Sequence, residues 1–258
     1  MEEKKLEEKV EEKKEKAESL PERETEKVEE KFGGKKKNVR AWGKEERTKK
    51  EIVWTAKTKV GKLVKERKIT DMNEIIDKYK ILEPEIVDSL LELKSELLNI
   101  GQSKGKFGGG KRRVWRQTQR KTAEGNVPSF ACMVIVGDEK GHVGVGYGKA
   151  KETLPAKEKA LRKAKLEIFN VERGCGSFDC SCNEPHSIPF KVEGKCESVR
   201  LILIPAPEGT GLVIGDEGKK ILRLAGIKDI YSKTFGQTRS TINYVKACVE
   251  ALKKTRKK

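Results

Sequence analysis

Histidine is nearly absent from this chain, with two in 258 residues, and aromatic residues make up only 5% of it. Long apolar runs are missing as well. The longest, Phe130–Val136 (FACMVIV), is far shorter than the roughly 18 residues that a membrane-spanning helix needs. The N-terminal stretch is a ladder of Glu and Lys with no apolar segment, so no secretory signal is expected. With only His142 after a turn and His186 in a cysteine-rich loop, no Ser/His/Asp arrangement or carboxylate pair has a spacing that forces an active site. Neither an enzyme nor a membrane protein is expected. The apolar share, 35%, falls below the roughly 45–50% of an ordinary domain with its glycines counted. Part of the chain is therefore not expected to pack.

Charge is what the chain has in abundance. It carries 58 Lys+Arg against 41 Asp+Glu, a net charge of +17. Residues 1–31 hold 13 acids and 9 bases, residues 32–70 hold 14 bases and 4 acids, and residues 71–100 reverse to 3 bases and 8 acids. Residues 101–122 then hold 8 bases and no acid. Solubility asks only for mixed charge. An acid-free basic stretch asks for a polyanion, which in practice means nucleic acid.

Residues 1–50 are too poor in apolar side chains to build a core and read as a charged, mostly disordered extension. Residues 51–94 offer short helices: Asp71 stands at an N-cap position and Pro84 in the first turn of PEIVDSLLELKSELL. From Val114 the period changes. Arg116–Thr122 alternates as a strand does, and Phe130–Val136 has the length of a buried strand. The turn GDEKG and the strand HVGVGYG follow, and Lys151–Val171 repeats Ala156, Ala160, Leu161, Ala164 and Ile168 at helical spacing. Beyond a cysteine-rich loop at 174–186, strands are expected at Ile188–Val192, Ser198–Ile204 and Asp229–Lys233, with helices at Asp216–Ala225 and Arg239–Lys254. The class is α+β, with a split β-α-β unit at the C-terminus.

Three motifs carry chemistry or imitate it. Gly144, Gly146 and Gly148 are spaced by two, which fits no nucleotide loop but lets another backbone or a ribose-phosphate approach one face of a strand. The segment VIGDEGKKI matches the KH pattern, in which a GXXG loop clamps a nucleic-acid backbone, yet Asp216 and Glu217 would repel the phosphates. The same segment is similar to the phosphate loop of the homoserine and mevalonate kinase superfamily, but Leu212, Val213 and Ile214 stand where that loop has its serines. Cys175, Cys180, Cys182 and His186 are the stronger cluster, with Cys196 ten residues on. Four thiolate or imidazole ligands suit a structural zinc. The other reading is a set of reduced cysteines with His186 bonded to backbone. Cys132 and Cys248 sit in apolar segments and read as core.

The stretches WTAKTKVGKLVKERKIT, EPEIVDSLL, VIVGDEKGHVGVGYGKAKE, CGSFDCSCNEPHSIPFKVEGKC, SVRLILIPAPEGTGL and LRLAGIKDIYSKTFGQTRSTINYVKA together resemble the small-ribosomal-subunit protein five family (protein two in the older eukaryotic naming) in its archaeal form. They cover residues 52–258. The resemblance implies a double-stranded-RNA-binding-like domain at 95–171 and the family's C-terminal domain at 172–258, whose architecture is shared with the kinases just named. It implies a non-enzymatic, cytoplasmic constituent of the small ribosomal subunit that requires no cofactor. Its partners would be small-subunit ribosomal RNA and the neighbouring small-subunit proteins four and eight. It would lie near the channel through which messenger RNA enters and support decoding accuracy in translation. Archaeal members commonly carry the same cysteine loop. Two features depart from the family pattern: a lengthened, more basic SKGKFGGGKRRVWR, and AEGNVPSF in a loop where relatives place basic residues.

The candidate RNA-binding residues are Lys111, Arg112, Arg113, Arg116, Arg120 and Lys121 along the first strand and its leader, and Lys149 and Lys151 before the next helix. Gln237, Thr238, Arg239 and Thr241, at the start of the last helix, can bond phosphate or ribose oxygens. A surface of guanidinium and hydroxyl groups suits structured RNA, which is read mainly by shape and by its 2′-hydroxyls. The rival classes are a free double-stranded-RNA-binding regulator and, more remotely, a kinase-superfamily enzyme.

Overall fold

The FACMVIV run organises the molecule because it is buried on both faces. In the computed structural model, which describes residues 54–103, 112–182 and 184–256, it forms the inner half of a long strand. Ahead of it come three short helices, α1 (Lys59–Lys65), α2 (Met72–Lys78) and α3 (Pro84–Leu90). An antiparallel sheet follows: β1 (Lys94–Leu97), β2 (Arg116–Thr122), β3 (Gly125–Gly137), β4 (His142–Ala150) and β5 (Ile168–Asn170), with α4 (Thr153–Leu166) between the last two. The order across the sheet is β1-β3-β4-β5, and β2 pairs with the outer half of β3. Alternation along β3 turns Cys132, Val134 and Val136 toward α4 and the short helices. Met133 and Ile135 turn toward the C-terminal half of the chain. A strand covered on both faces has no polar side, which is why the sequence shows an unbroken apolar run.

The glycines of β4 serve that packing. A Cβ on Gly144, Gly146 or Gly148 would come within 2.1–2.2 Å of the carbonyl oxygens of Ala164, Ala160 and Ala156. The backbone admitted by the glycines is thus the protein's own helix, whose alanines at 156, 160 and 164 are fully buried. Because a rigid helix backbone cannot yield, Gly146→Ala is expected to cost about 3 kcal/mol of unfolding free energy, at the upper end of ordinary overpacking. Urea denaturation of the purified variant checks it.

The C-terminal half holds a second sheet of β6 (Val192–Cys196), β7 (Val199–Pro205), β8 (Leu212–Val213) and β9 (Ile230–Phe235), with helices α5 (Asp216–Leu224) and α6 (Thr241–Lys253). The order is β6-β7-β9-β8, and only β8 and β9 run parallel, joined through α5. This is the α+β class expected, with the split β-α-β unit in place. Both sheets lie within one compact unit, Ile52–Lys258. The halves are locked by polar contacts as well as by the shared core. Glu217 Oε2 accepts from Asn99 N–H at 3.0 Å, Lys220 Nζ donates to the Leu97 carbonyl at 3.1 Å, and Glu139 N–H donates to the Leu224 carbonyl at 2.9 Å.

Several expected boundaries shift for physical reasons. The helix begun at Pro84 stops at Leu90, and Lys94–Leu97 instead pairs with Val134–Gly137, the stretch of β3 that β2 leaves open. A ladder waiting for a partner outweighs the modest helix propensity of KSEL. The helix expected over 151–171 ends at Leu166, since Ile168 joins β5 beside Gly144. Of the strand expected over Ile188–Val192 only Val192 is strand, as the first residue of β6. Pro189 lacks an N–H, and the flanking groups bond the cysteine loop, Ser187 with Gly174 and the Ile188 carbonyl with Gly176 N–H. The AEGNVPSF segment is a two-residue turn at Ala123–Glu124 followed by the first residues of β3, not an extended loop. The extension 1–50 lies outside the described residues.

Candidate nucleic-acid interface and metal centre

The leader of β2 is pinned before the strand begins. Arg112 bridges to Ser103, and the Gly101 N–H donates to the Arg113 carbonyl at 2.7 Å. Gly101 must be glycine there, because a Cβ would lie 2.3 Å from the Trp115 carbonyl oxygen. The pinning sets Arg112 and Arg116 against the start of α6, which is distant in sequence. A cavity of about 410 Å³ is lined by Arg112, Arg116, Arg239, Ser240 and Thr241, with Gly101, Gln102 and Ser103 on its floor. Ser240 caps α6 without a side-chain hydrogen bond, and with Ser240 and Thr241 in the lining the positive end of that helix borders the cavity.

Two further hollows continue it. One of about 500 Å³ runs along β2 past Arg113, Arg116, Thr118 and Gln119. The other, of about 470 Å³, shares Arg112 and Thr241 with the first and reaches Thr238, Tyr244 and the start of α5. Among the described residues, no ion pair engages Arg112, Arg113, Arg116, Arg120 or Arg239. Among these residues, no carboxylate compensates their charge.

The other expected residues fall into place around this groove. Arg116 pairs with Ala131, which pairs with Lys149, so Arg116 and Lys149 sit on one face of the sheet, two strands apart. Arg120, four residues on, shares that face, and Lys121 points to the opposite one. Both lie on the exposed part of the β2–β3 hairpin, away from the cavities. Lys151 is exposed just before α4, and Gln237 is exposed but lines none of the three hollows. Lys111 lies outside the described residues. Gln102 and Thr234 were not legible in advance, since uncharged residues beside a basic run carry no pattern of their own.

The GDEG segment is a turn from strand to helix, with Gly215 as the N-cap of α5 and Gly218 inside the helix. A KH loop lies between two helices, so that geometry is absent here. His142 is occupied structurally: Nδ1 meets Asp138 Oδ2 at 2.6 Å and Nε2 meets Asn73 Oδ1 at 3.0 Å.

The cysteine loop brings its candidate ligands together. The ligand atoms of Cys175, Cys180, Cys182 and His186 all lie within 4.8 Å of one another. Ligands about 2.0–2.3 Å from a tetrahedral metal lie ~3.3–3.8 Å apart; Cys180 Sγ is 3.6 Å from His186 Nε2, within that range, whereas Cys180 Sγ and Cys182 Sγ, 2.9 Å apart, would have to separate to share a metal. His186 is not bonded to backbone through its ring. Its Nδ1 meets Asp229 Oδ2 at 2.8 Å, and Asp229 Oδ1 accepts from Gly211 N–H at 2.7 Å. A carboxylate behind the second ring nitrogen is how metal-ligating histidines are oriented. The hydrogen bond between them pulls the Cys180 thiol down to about 6 and pushes that of Cys182 up to about 12, so near neutral pH the two sulfurs share one proton. Burial opposes protonation of His186, but Cys175, Cys180 and Asp229 together raise its pKa. Cys196 is not part of the set. It lies in β6 opposite Val199, and Cys132 and Cys248 are fully buried in the core.

An α+β protein with a double-stranded-RNA-binding-like sheet and a groove lined by arginines has the architecture of a nucleic-acid-binding protein. Family models described as "Ribosomal protein S5, N-terminal domain" and "Ribosomal protein S5, C-terminal domain" match residues 112–172 and 194–258. A Nanoarchaeum equitans protein named small ribosomal subunit protein uS5 is 54% identical over 203 residues, 78% of this chain and 87% of its own length. Proteins of the same name from Hyperthermus butylicus and Methanocaldococcus jannaschii are 51% and 48% identical, over 79% and 78% of this chain and 90% and 86% of their own lengths. The chain belongs to the ribosomal protein S5 family.

Proposed function

We propose that this chain is a structural constituent of the small ribosomal subunit, bound to its RNA through the groove between the two sheets. One observation supports the RNA contact above the others: Arg112 and Arg116 from the basic leader and Arg239 from the last helix line a single cavity, and among the described residues no carboxylate pairs with them. Arg120, Lys121, Lys149 and Lys151 extend the contact over the hairpin and the edge of the sheet, Gln237 flanks it, and Lys111, next to Arg112 in sequence, adds its charge. Membership of the family makes the protein a non-enzyme. The likeness to relatives supports a place in the cytoplasmic ribosome beside small-subunit proteins four and eight, near the channel that messenger RNA enters, with a part in decoding accuracy. No described helix is long and apolar enough to cross a membrane. The domains divide near residue 172. Cys175, Cys180, Cys182 and His186 hold a structural zinc that staples the loop between them, with Asp229 orienting the histidine.

The purified full chain is expected to bind small-subunit ribosomal RNA in a mobility-shift titration at low salt and to lose affinity steeply as salt rises, by about 0.9 log unit per log salt for each phosphate contacted. Absence of binding at low salt would contradict the proposal.

A further inference from the structure

A nucleotide has two chemically unlike ends, and two adjoining cavities in this protein differ in the same way. The first is cationic, set by Arg112, Arg116, Arg239 and the start of α6. The second shares Arg112 and Thr241 with it, but its lining is mostly apolar, and Asp216 and Glu217 stand at its far side. Those carboxylates repel a second phosphate, whereas they can accept from the amino and imino groups on a base edge. Tyr244 forms part of the wall. It is 6% exposed, and its hydroxyl is buried beside the Gly215 backbone without a well-formed hydrogen bond among the described residues. An unpartnered buried hydroxyl is destabilising, and phenylalanine would fill the same space without it.

We propose that the paired cavities take one extruded nucleotide of an RNA strand, its phosphate among the three arginines and its base in the hollow beside Tyr244. Bases inside a duplex face their partners and cannot enter such a hollow, so the ligand is a bulged or single-stranded nucleotide. The inference rests on the RNA-binding reading and goes beyond it: duplex charge alone would fill the first cavity and leave the second unused.

The test compares a plain RNA duplex of about 20 base pairs, long enough for a fold of this kind, with the same duplex carrying one bulged nucleotide. With the full chain at one salt concentration, the bulged RNA is expected to bind roughly tenfold tighter, the range that one base seated against an aromatic wall supplies. Thr234→Phe fills the second cavity from an exposed strand position. It is expected to bring the affinity for the bulged RNA down to that for the plain duplex. Tyr244→Phe is expected to weaken the preference while the melting temperature of the free protein stays the same or rises. Equal affinity for the two RNAs overturns the nucleotide pocket and leaves the RNA-binding reading standing. Failure to bind either RNA overturns both.

Discussion

Replacing Arg112, Arg116 and Arg239 together with glutamine is expected to cut the salt dependence of RNA binding, not merely its strength. Every phosphate that is no longer neutralised should make the slope of log affinity against log salt shallower by about 0.9, so the triple change should flatten it by roughly two to three. Affinity at low salt should fall by at least about a hundredfold, since charge-assisted hydrogen bonds are worth ~1.5–3 kcal/mol each. Glutamine keeps much of each side chain's length and polarity, and no ion pair among the described residues is broken by the change. The fold should therefore survive, as a circular dichroism melt would show. A triple glutamine at Lys149, Lys151 and Lys121 removes the same charge from positions that line no cavity and should cost less. Equal losses from the two triples would mean that the contact is diffuse and that the groove has no special role.

Removing the metal ranks second in expected size. The purified chain should carry one zinc, and Cys175→Ser or prolonged chelation should abolish it. A ligand present at a hundredfold over its Kd contributes about 2.7 kcal/mol, and at this length each kcal/mol is worth about 2–4 °C. The melting temperature should therefore fall by about 5–10 °C. Cys196→Ser is the control and should leave the zinc content intact, because Cys196 lies in β6 outside the ligand set. Acidification should release the metal, since thiols and imidazole bind zinc only when deprotonated. Asp229→Asn keeps a group behind His186 but removes its charge, and metal affinity should fall by roughly 10–100-fold. If the chain binds no zinc as purified and Cys175→Ser leaves its stability unchanged, the loop is a set of reduced cysteines.

The fold was legible wherever a period or a steric demand showed in the residues. The β4 glycines announced a close approach, and the partner proved to be the alanine face of α4. FACMVIV read as a buried strand because nothing in it is polar. KSEL misled, because its neighbours could continue a helix and only the open edge of β3 decides otherwise. The RNA groove was half legible. The basic leader and the start of α6 each stood out by composition, but nothing in their spacing says that Arg112 and Arg239 share a cavity, since that follows from how the two sheets dock. The four candidate metal ligands were legible by type and proximity. Asp229 was not, because it lies 43 residues beyond His186 and reaches it only once β9 is placed beside β8.

The most direct test of the central claim, that this chain is built into the small ribosomal subunit through its RNA, is sedimentation of a cell lysate through sucrose gradients in low and high salt. The protein is expected to travel with the small subunit and to stay there through the high-salt wash. Recovery at the top of the gradient as free protein, even in low salt, would contradict the account.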